Sequence, residues 1–314
     1  MATFSREDLL NVHERIKPYI HETPILTSSL INEIAECSIF FKCENFQKMG
    51  AFKMRGAINA ILQLSEEDQQ KGVVTHSSGN FAQALSIAAK SLNVPAYIVM
   101  PSSAPQVKKD AVKTYKGIIT ECPPTLQDRE KTAQKIVDDK GATFVHPSND
   151  IEVILGQGTA ALELIQKKPN LDCVVTPVGG GGLIAGTALV VNVFTEKTKT
   201  IGAEPFEVDD AYRSLISGKI EKNESANTIA DGLKTQLGDQ NFPIIQKHVD
   251  SIIRVTEEEI KTALKLIWER MKIIVEPSSA VALAAILKKK KEFKNQEIGL
   301  LISGGNVDFN QIQL

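Results

Sequence analysis

Residues 173–186 read CVVTPVGGGGLIAG. The unbroken apolar run Cys173–Pro177 suits a strand buried on both faces, and Leu183–Phe194 suits a buried helix. Gly179, Gly180, Gly181 and Gly182 join the two. Strand, glycines and helix in that order open a parallel βα unit. Successive backbone N–H groups can then turn toward one anion, and the helix dipole adds attraction. Phosphate is the natural ligand. A merely tight turn is the plainer reading.

The same rhythm extends to both sides. Upstream, Val73–His76, Ala96–Met100, Ile118–Glu121 and Thr143–His146 read as strands, separated by helices at Phe81–Leu92, Pro105–Tyr115 and Thr125–Lys140. Around the glycines, a helix is expected at Gly156–Gln166 and a strand at Thr200–Glu204. Further on, a short helix covers Asp210–Ser217 and a strand covers Ile252–Val255. A helix capped by Thr256 should run through Met271, another spans Glu276–Lys290, and Ile298–Ser303 is the last strand. This alternation predicts an α/β protein of two open layers with mainly parallel strands. Residues 68–147 form a smaller domain inserted into a larger one made of 1–67 and 148–314. Ligands of such sheets sit beyond the carboxyl ends of the strands.

Four more motifs lie at such ends. In Asn45–Gly56, NFQKMGAFKMRG, Lys53 stands where a loop becomes a helix. A cation near the positive end of a helix dipole is electrostatically misplaced, which lowers its pKa and frees the amine to attack a carbonyl. Taken alone it reads as a surface lysine; the glycine-rich stretches around it argue otherwise. Ser77, Ser78, Gly79 and Asn80 join a strand end to a helix start and offer hydroxyls, N–H groups and an amide to a carboxylate. A helix cap without a ligand is the plainer alternative. In Ser303–Asp308, SGGNVD, two glycines leave room for a flat ligand with Ser303 at its edge. Glu204 and Asp210 flank a loop and offer the oxygen-only donors that Mg²⁺ or Ca²⁺ requires, unless Asp209 or Asp210 only caps the next helix. A rival reading takes Gly180, Gly182 and Ala185 as a relaxed dinucleotide fingerprint with Glu204 as its ribose acid. A nicotinamide enzyme would leave Lys53 and the two serine-bearing loops idle.

Charge and composition narrow the class. Lys+Arg 36 against Asp+Glu 38 leaves no basic footprint for nucleic acid. No stretch is long and apolar enough to span a bilayer, and the first residues lack the apolar core of a signal peptide. Cys37, Cys43, Cys122 and Cys173 show neither a CxxC pair nor metal spacing, which suits reduced thiols and a cytoplasmic location.

Taken together, HETPILTSS, FFKCENFQKMGAFKMRGA, HSSGNFAQA, GQGTAALE, VGGGGLIAG, AEP, IADG, ERMKIIVEPSSA and SGGNVD resemble the fold-type II pyridoxal-phosphate enzymes. The likeness is to their serine racemase and serine/threonine dehydratase group, and it runs over nearly the whole chain. It implies the tryptophan synthase β-like fold, with Lys53 carrying pyridoxal 5'-phosphate, Gly179–Gly182 holding its phosphate, Asn80 on its ring hydroxyl and Ser303 facing its pyridine nitrogen. The match is closest to the racemases, because Ser78 stands where plain threonine dehydratases usually carry alanine. A hydroxyl there gives the acid–base pair with Lys53 that racemisation needs, one group on each face. β-Elimination of serine to pyruvate and ammonia should compete; dehydration of 3-hydroxyaspartate or threonine is the neighbouring possibility.

The resemblance also implies that Ser77, Ser78, Gly79 and Arg129 meet the substrate. It places Mg²⁺ or Ca²⁺ (with Mn²⁺ admissible) at Glu204, Asp210 and the Val208 carbonyl. A homodimer is implied, with ATP at its interface near Ser28, Ser29, Lys48 and Gln83. Two departures stand out. Phe81 replaces a usual histidine, and Met49 replaces a polar residue in the ATP region, which argues against ATP activation.

Overall fold

The computed structural model describes residues 4–308. The strands in chain order are β1 (Ile25–Leu26), β2 (Ser38–Cys43), β3 (Val73–His76), β4 (Ala96–Pro101) and β5 (Ile118–Cys122). They continue as β6 (Thr143–Phe144), β7 (Cys173–Pro177), β8 (Lys199–Pro205), β9 (Ser251–Val255) and β10 (Glu297–Ile302). The helices begin with α1 (Arg6–Ile16), α2 (Ser29–Ala35), α3 (Lys53–Leu62), α4 (Glu66–Lys71), α5 (Asn80–Leu92) and α6 (Gln106–Thr114). After α7 (Leu126–Lys140) come α8 (Ile151–Lys167), α9 (Gly182–Phe194), α10 (Asp210–Ser217), α11 (Phe242–His248), α12 (Glu257–Leu266) and α13 (Pro277–Lys288).

Two sheets result. The larger has the order β1-β2-β10-β7-β8-β9 and is parallel except for β1, which pairs antiparallel with β2. The smaller, β5-β4-β3-β6, is parallel throughout. The α/β class with mainly parallel strands is therefore as expected. Burial explains the patterning: β7 lies inside its sheet and is buried at every residue, whereas β5 is an edge and half exposed.

Several boundaries differ from the periodicity. Helix α8 begins at Ile151 rather than Gly156, because Asp150 Oδ1 accepts the N–H groups of Glu152 (2.9 Å) and Val153 (3.2 Å). Its internal glycines are there for packing. A Cβ on Gly158 would come within 2.7 Å of the Gly186 carbonyl oxygen, so α8 and α9 touch backbone to backbone. Strand β6 stops at Phe144, and His146 instead accepts the N–H groups of Ser148 (3.2 Å) and Asn149 (2.8 Å) at ring Nδ1. The helix from Thr256 is α-helical only to Leu266 and then widens into a π-helical turn, Ile267–Met271. The short elements β1, α4 and α11 carry too little periodicity to stand out in the sequence.

Beneath the first turns of α3 lies a fully buried charge cluster. Arg55 donates to Glu44 through Nε (2.7 Å) and Nη2 (2.8 Å), and to Glu163 through Nη1 (2.7 Å) and Nη2 (2.9 Å). Lys42 also donates to Glu163 (2.5 Å) and to the Thr23 carbonyl (2.6 Å). Two cations and two carboxylates cancel. The cluster ties β2, α3 and α8 together.

Candidate active site

The carboxyl ends of both sheets face one cavity of about 990 Å³. Its walls bring together Lys53 and Ser303, the serine loop with Ser77, Ser78, Gly79 and Asn80, and the whole glycine run Gly179–Gly182. Arg129 and Gln83 also line it. Four predicted groups thus converge from stretches scattered along the chain.

Lys53 is the first residue of α3. Its Nζ donates to the Pro147 carbonyl (2.7 Å) and sits 4.9 Å from the Phe52 ring centroid and 5.7 Å from that of Phe81. Burial drives its pKa down to about 7, against a pull upward from the Glu276 carboxylate. The direction is the one expected at a helix start, but the dominant cause is desolvation rather than the helix dipole. Phe81, the departure from the family's histidine, is one of the apolar walls that achieve it.

The glycine run begins helix α9. Gly181 has φ +81°, a conformation that suits glycine, and a Cβ on Gly180 would lie 2.4 Å from Ser148 Oγ. Asn241 Nδ2 clamps the run by donating to the carbonyls of Gly180 (2.8 Å) and Ser148 (3.0 Å). The result is a set of pre-aimed N–H groups at a helix start, which suits a phosphate.

Asn80 is held from both ends. Its Nδ2 donates to Glu276 Oε2 (3.0 Å) and Oε1 (3.1 Å), while its Oδ1 accepts from Asn306 Nδ2 (2.9 Å). Burial pushes the Glu276 carboxyl up to about 7, opposed by the Asn80 hydrogen bond. Ser303 is buried, with Oγ 2.9 Å from Ser279 Oγ, which donates onward to the Gly304 carbonyl (2.7 Å). That chain leaves Ser303 a neutral hydroxyl facing the cavity. Arg129, on α7, has a buried Nε with no hydrogen-bond partner among the described residues. His146 takes two N–H groups at Nδ1, so its proton sits on Nε2, and burial holds its pKa at about 4.

Glu276, Asn306, Asn241 and His146 were not assigned roles from the sequence. An acid directly before a proline in an apolar stretch, as in VEPSSA, was the available signal for Glu276.

Other predicted residues lie elsewhere. Glu204 and Asp210 are fully buried at the start of α10. Glu204 caps that helix, accepting from Ala211 N (3.2 Å) and Tyr212 N (2.9 Å), a role the sequence offered to Asp209 or Asp210. Asp210 accepts from Asn223 Nδ2 (2.6 Å) and Leu237 N (3.0 Å). Burial and the neighbouring Asp210 raise the Glu204 pKa well above the usual range, and burial raises Asp210 to about 6. Of the residues expected near ATP, Ser28 Oγ caps α2 by accepting Ile31 N (3.4 Å). Ser29 opens α2, and Lys48 lies in a 3₁₀ turn that packs on α5, where Gln83 stands.

The chain belongs to the pyridoxal-phosphate dependent enzymes, whose family model matches residues 16–304. It is similar to the serine racemase of Dictyostelium discoideum, 52% identical over 99% of this chain and 98% of that protein. It is also similar to the beta-hydroxyaspartate dehydratase of Paracoccus denitrificans (strain Pd 1222), 49% identical over 98% of this chain and 97% of that one. The crystal structure of the Dictyostelium serine racemase superposes with a TM-score of 0.94 at 51% identity, covering 98% of this chain and 100% of the other. The cofactor class disposes of the nicotinamide reading of Gly180, Gly182, Ala185 and Glu204. The residues present fit pyridoxal phosphate: an amine of lowered pKa, an anion loop whose glycines leave no room for side chains, and a neutral buried hydroxyl.

Proposed function

We propose that the chain interconverts L- and D-serine and, in competition, eliminates water from serine to give 2-aminoacrylate, which water hydrolyses to pyruvate and ammonia. When bound, pyridoxal phosphate supplies the electron-withdrawing ring that makes the α-proton acidic. The observation that carries the reading is that Lys53 and Ser78 reach one cavity from different sheets, one an amine whose pKa is lowered to about 7, the other a hydroxyl.

In this reading Gly179–Gly182 bind the phosphate, Asn80 and Ser303 hold the ring, and Arg129 with Ser77–Gly79 take the substrate carboxylate. Lys53 Nζ moves the α-proton on one face and Ser78 Oγ on the other. Closure of residues 68–147 against the rest brings the two together and excludes water. Elimination needs only one of the two groups. Ser78→Ala should therefore cut D-serine formation from L-serine about 100-fold while pyruvate formation stays within about tenfold. Equal losses of both products would remove Ser78 from the pair.

The reading extends to a divalent cation at Glu204, Asp210 and the Val208 carbonyl, supported by two buried carboxylates whose mutual repulsion a cation would relieve. It includes a homodimer. Leu30 and Ile34 on α2, Phe46 and Ile274 are large apolar residues left exposed, and Asn45 Nδ2 links the last two segments through the Ile274 carbonyl (3.2 Å). An ATP effector site at Ser28, Ser29, Lys48 and Gln83 would adjoin that face; Met49 and the capping role of Ser28 weigh against activation through it. Four free, buried cysteines favour a cytoplasmic setting. Dehydration of 3-hydroxyaspartate is the second reading, favoured by the Paracoccus relative, and the ratio of kcat/KM for serine and hydroxyaspartate decides between them.

A further inference from the structure

The two relatives above are almost equally similar to this chain, yet the activities they are named for concern amino acids that differ by a carboxylate on the side chain. Overall similarity therefore does not say which side chains this cavity admits. The α-carboxylate already has the serine loop and Arg129. A second charge on the substrate would have to be met, or refused, by something else on the wall.

At the rim, Lys108 Nζ donates to Asp231 Oδ2 at 2.8 Å, and both side chains line the cavity that holds Lys53 and Ser78. Lys108 lies in the first turn of α6, on the four-stranded sheet. Asp231 begins the 3₁₀ turn Asp231–Leu233, which is pressed against the phosphate loop: a Cβ on Gly179 would come 2.9 Å from Leu233 Cα. The pair thus reaches from one sheet to the other across the cavity wall. Its charges act inward as well, since the buried Glu276 carboxyl feels both Asp231 and Lys108.

We infer that the Lys108–Asp231 ion pair selects substrates by side-chain charge, admitting neutral side chains and discriminating against a second carboxylate. The inference rests on the amino-acid reading of the site given above. While the two charges cancel, a hydroxymethyl group meets no net field. A side-chain carboxylate meets Asp231 as a like charge and must displace it to use Lys108. The side chains are 33% and 52% exposed, so the pair is weak and solvent-screened. Its effect is a graded preference, worth severalfold.

The test is a set of equilibrium titrations of holoenzyme with L-alanine and L-aspartate, followed by the cofactor's visible absorbance. Neither ligand carries a hydroxyl to expel. Asp231→Asn should shift the ratio of Kd values toward aspartate by about two- to fivefold, because Lys108 is freed. Lys108→Gln should shift it by about as much the other way, because Asp231 is left unpaired. The double variant should return near the parent ratio. Shifts of the same sign in both single variants are what a simple clasp between the sheets would give, and they overturn the assignment, as does the absence of any shift. A parent enzyme that binds neither ligand overturns the amino-acid pocket and this inference together. One that binds both but converts no serine sinks only the proposed reaction.

Discussion

Lys53 and Arg55 stand two residues apart on the same turn of α3 and live in opposite electrostatic worlds. Arg55 is wholly buried, and burial alone would favour its neutral form. Glu44 and Glu163 reverse that and hold its pKa above the usual arginine value. Lys53 has no ion pair with a carboxylate among the described residues; its Nζ donates to the Pro147 carbonyl, and its pKa falls to about 7. The difference teaches that burial makes a cation structural when anions accompany it and reactive when they do not.

The contrast can be broken from either side. Lys53→Ala should lower both racemase and dehydratase activity by about 10²–10⁴-fold or more, with little change in unfolding midpoint. Chiral product analysis and a denaturant titration check the two halves. Arg55→Ala should do the reverse, costing about 3–5 kcal/mol of stability because Glu44 and Glu163 are left facing each other without their shared cation. An Arg55→Ala enzyme as stable as its parent would show that the cluster is not what anchors α3.

A smaller effect sharpens the lysine side. The pKa of Lys53 in the folded protein lies below the ordinary lysine value, so the amine is neutral above about pH 7 and charged below it. Only the neutral amine adds to an aldehyde, so the rate at which apoenzyme takes up pyridoxal phosphate should fall about tenfold per pH unit below 7 and flatten above it. A rate still climbing steadily between pH 8 and 10 would mean an ordinary lysine. Smallest of all, excess Mg²⁺ should raise Tm by a few degrees through linkage, and Asp210→Asn should abolish the rise.

How legible this was depended on distance along the chain. Strands such as Val73–His76 and Cys173–Pro177 were readable to the residue, because alternation and apolar runs are local. That Lys53, Ser78 and the glycine run would face one cavity was readable because each lies in a connection from a strand to the helix after it. Partners joined only by the fold left no local trace. Asn80 and Glu276 lie 196 residues apart, Arg55 and Glu163 108 apart, and Lys108 and Asp231 123 apart. Glu204 was singled out for its acid, but its capping bonds to Ala211 and Tyr212 needed coordinates.

The larger sheet places β10 between β2 and β7. On a translating ribosome, β2 and β7 emerge well before the strand that must sit between them, so neither has its native neighbour on that side until Glu297–Ile302 is made. The nascent protein has to shelter two unfilled sheet edges in the meantime, a state open to wrong pairing. The smaller sheet, whose strands all fall between residues 73 and 144, can be assembled while the rest is still being synthesised. Ser78 can therefore be in place early, whereas the cavity wall supplied by Ser303 is built last.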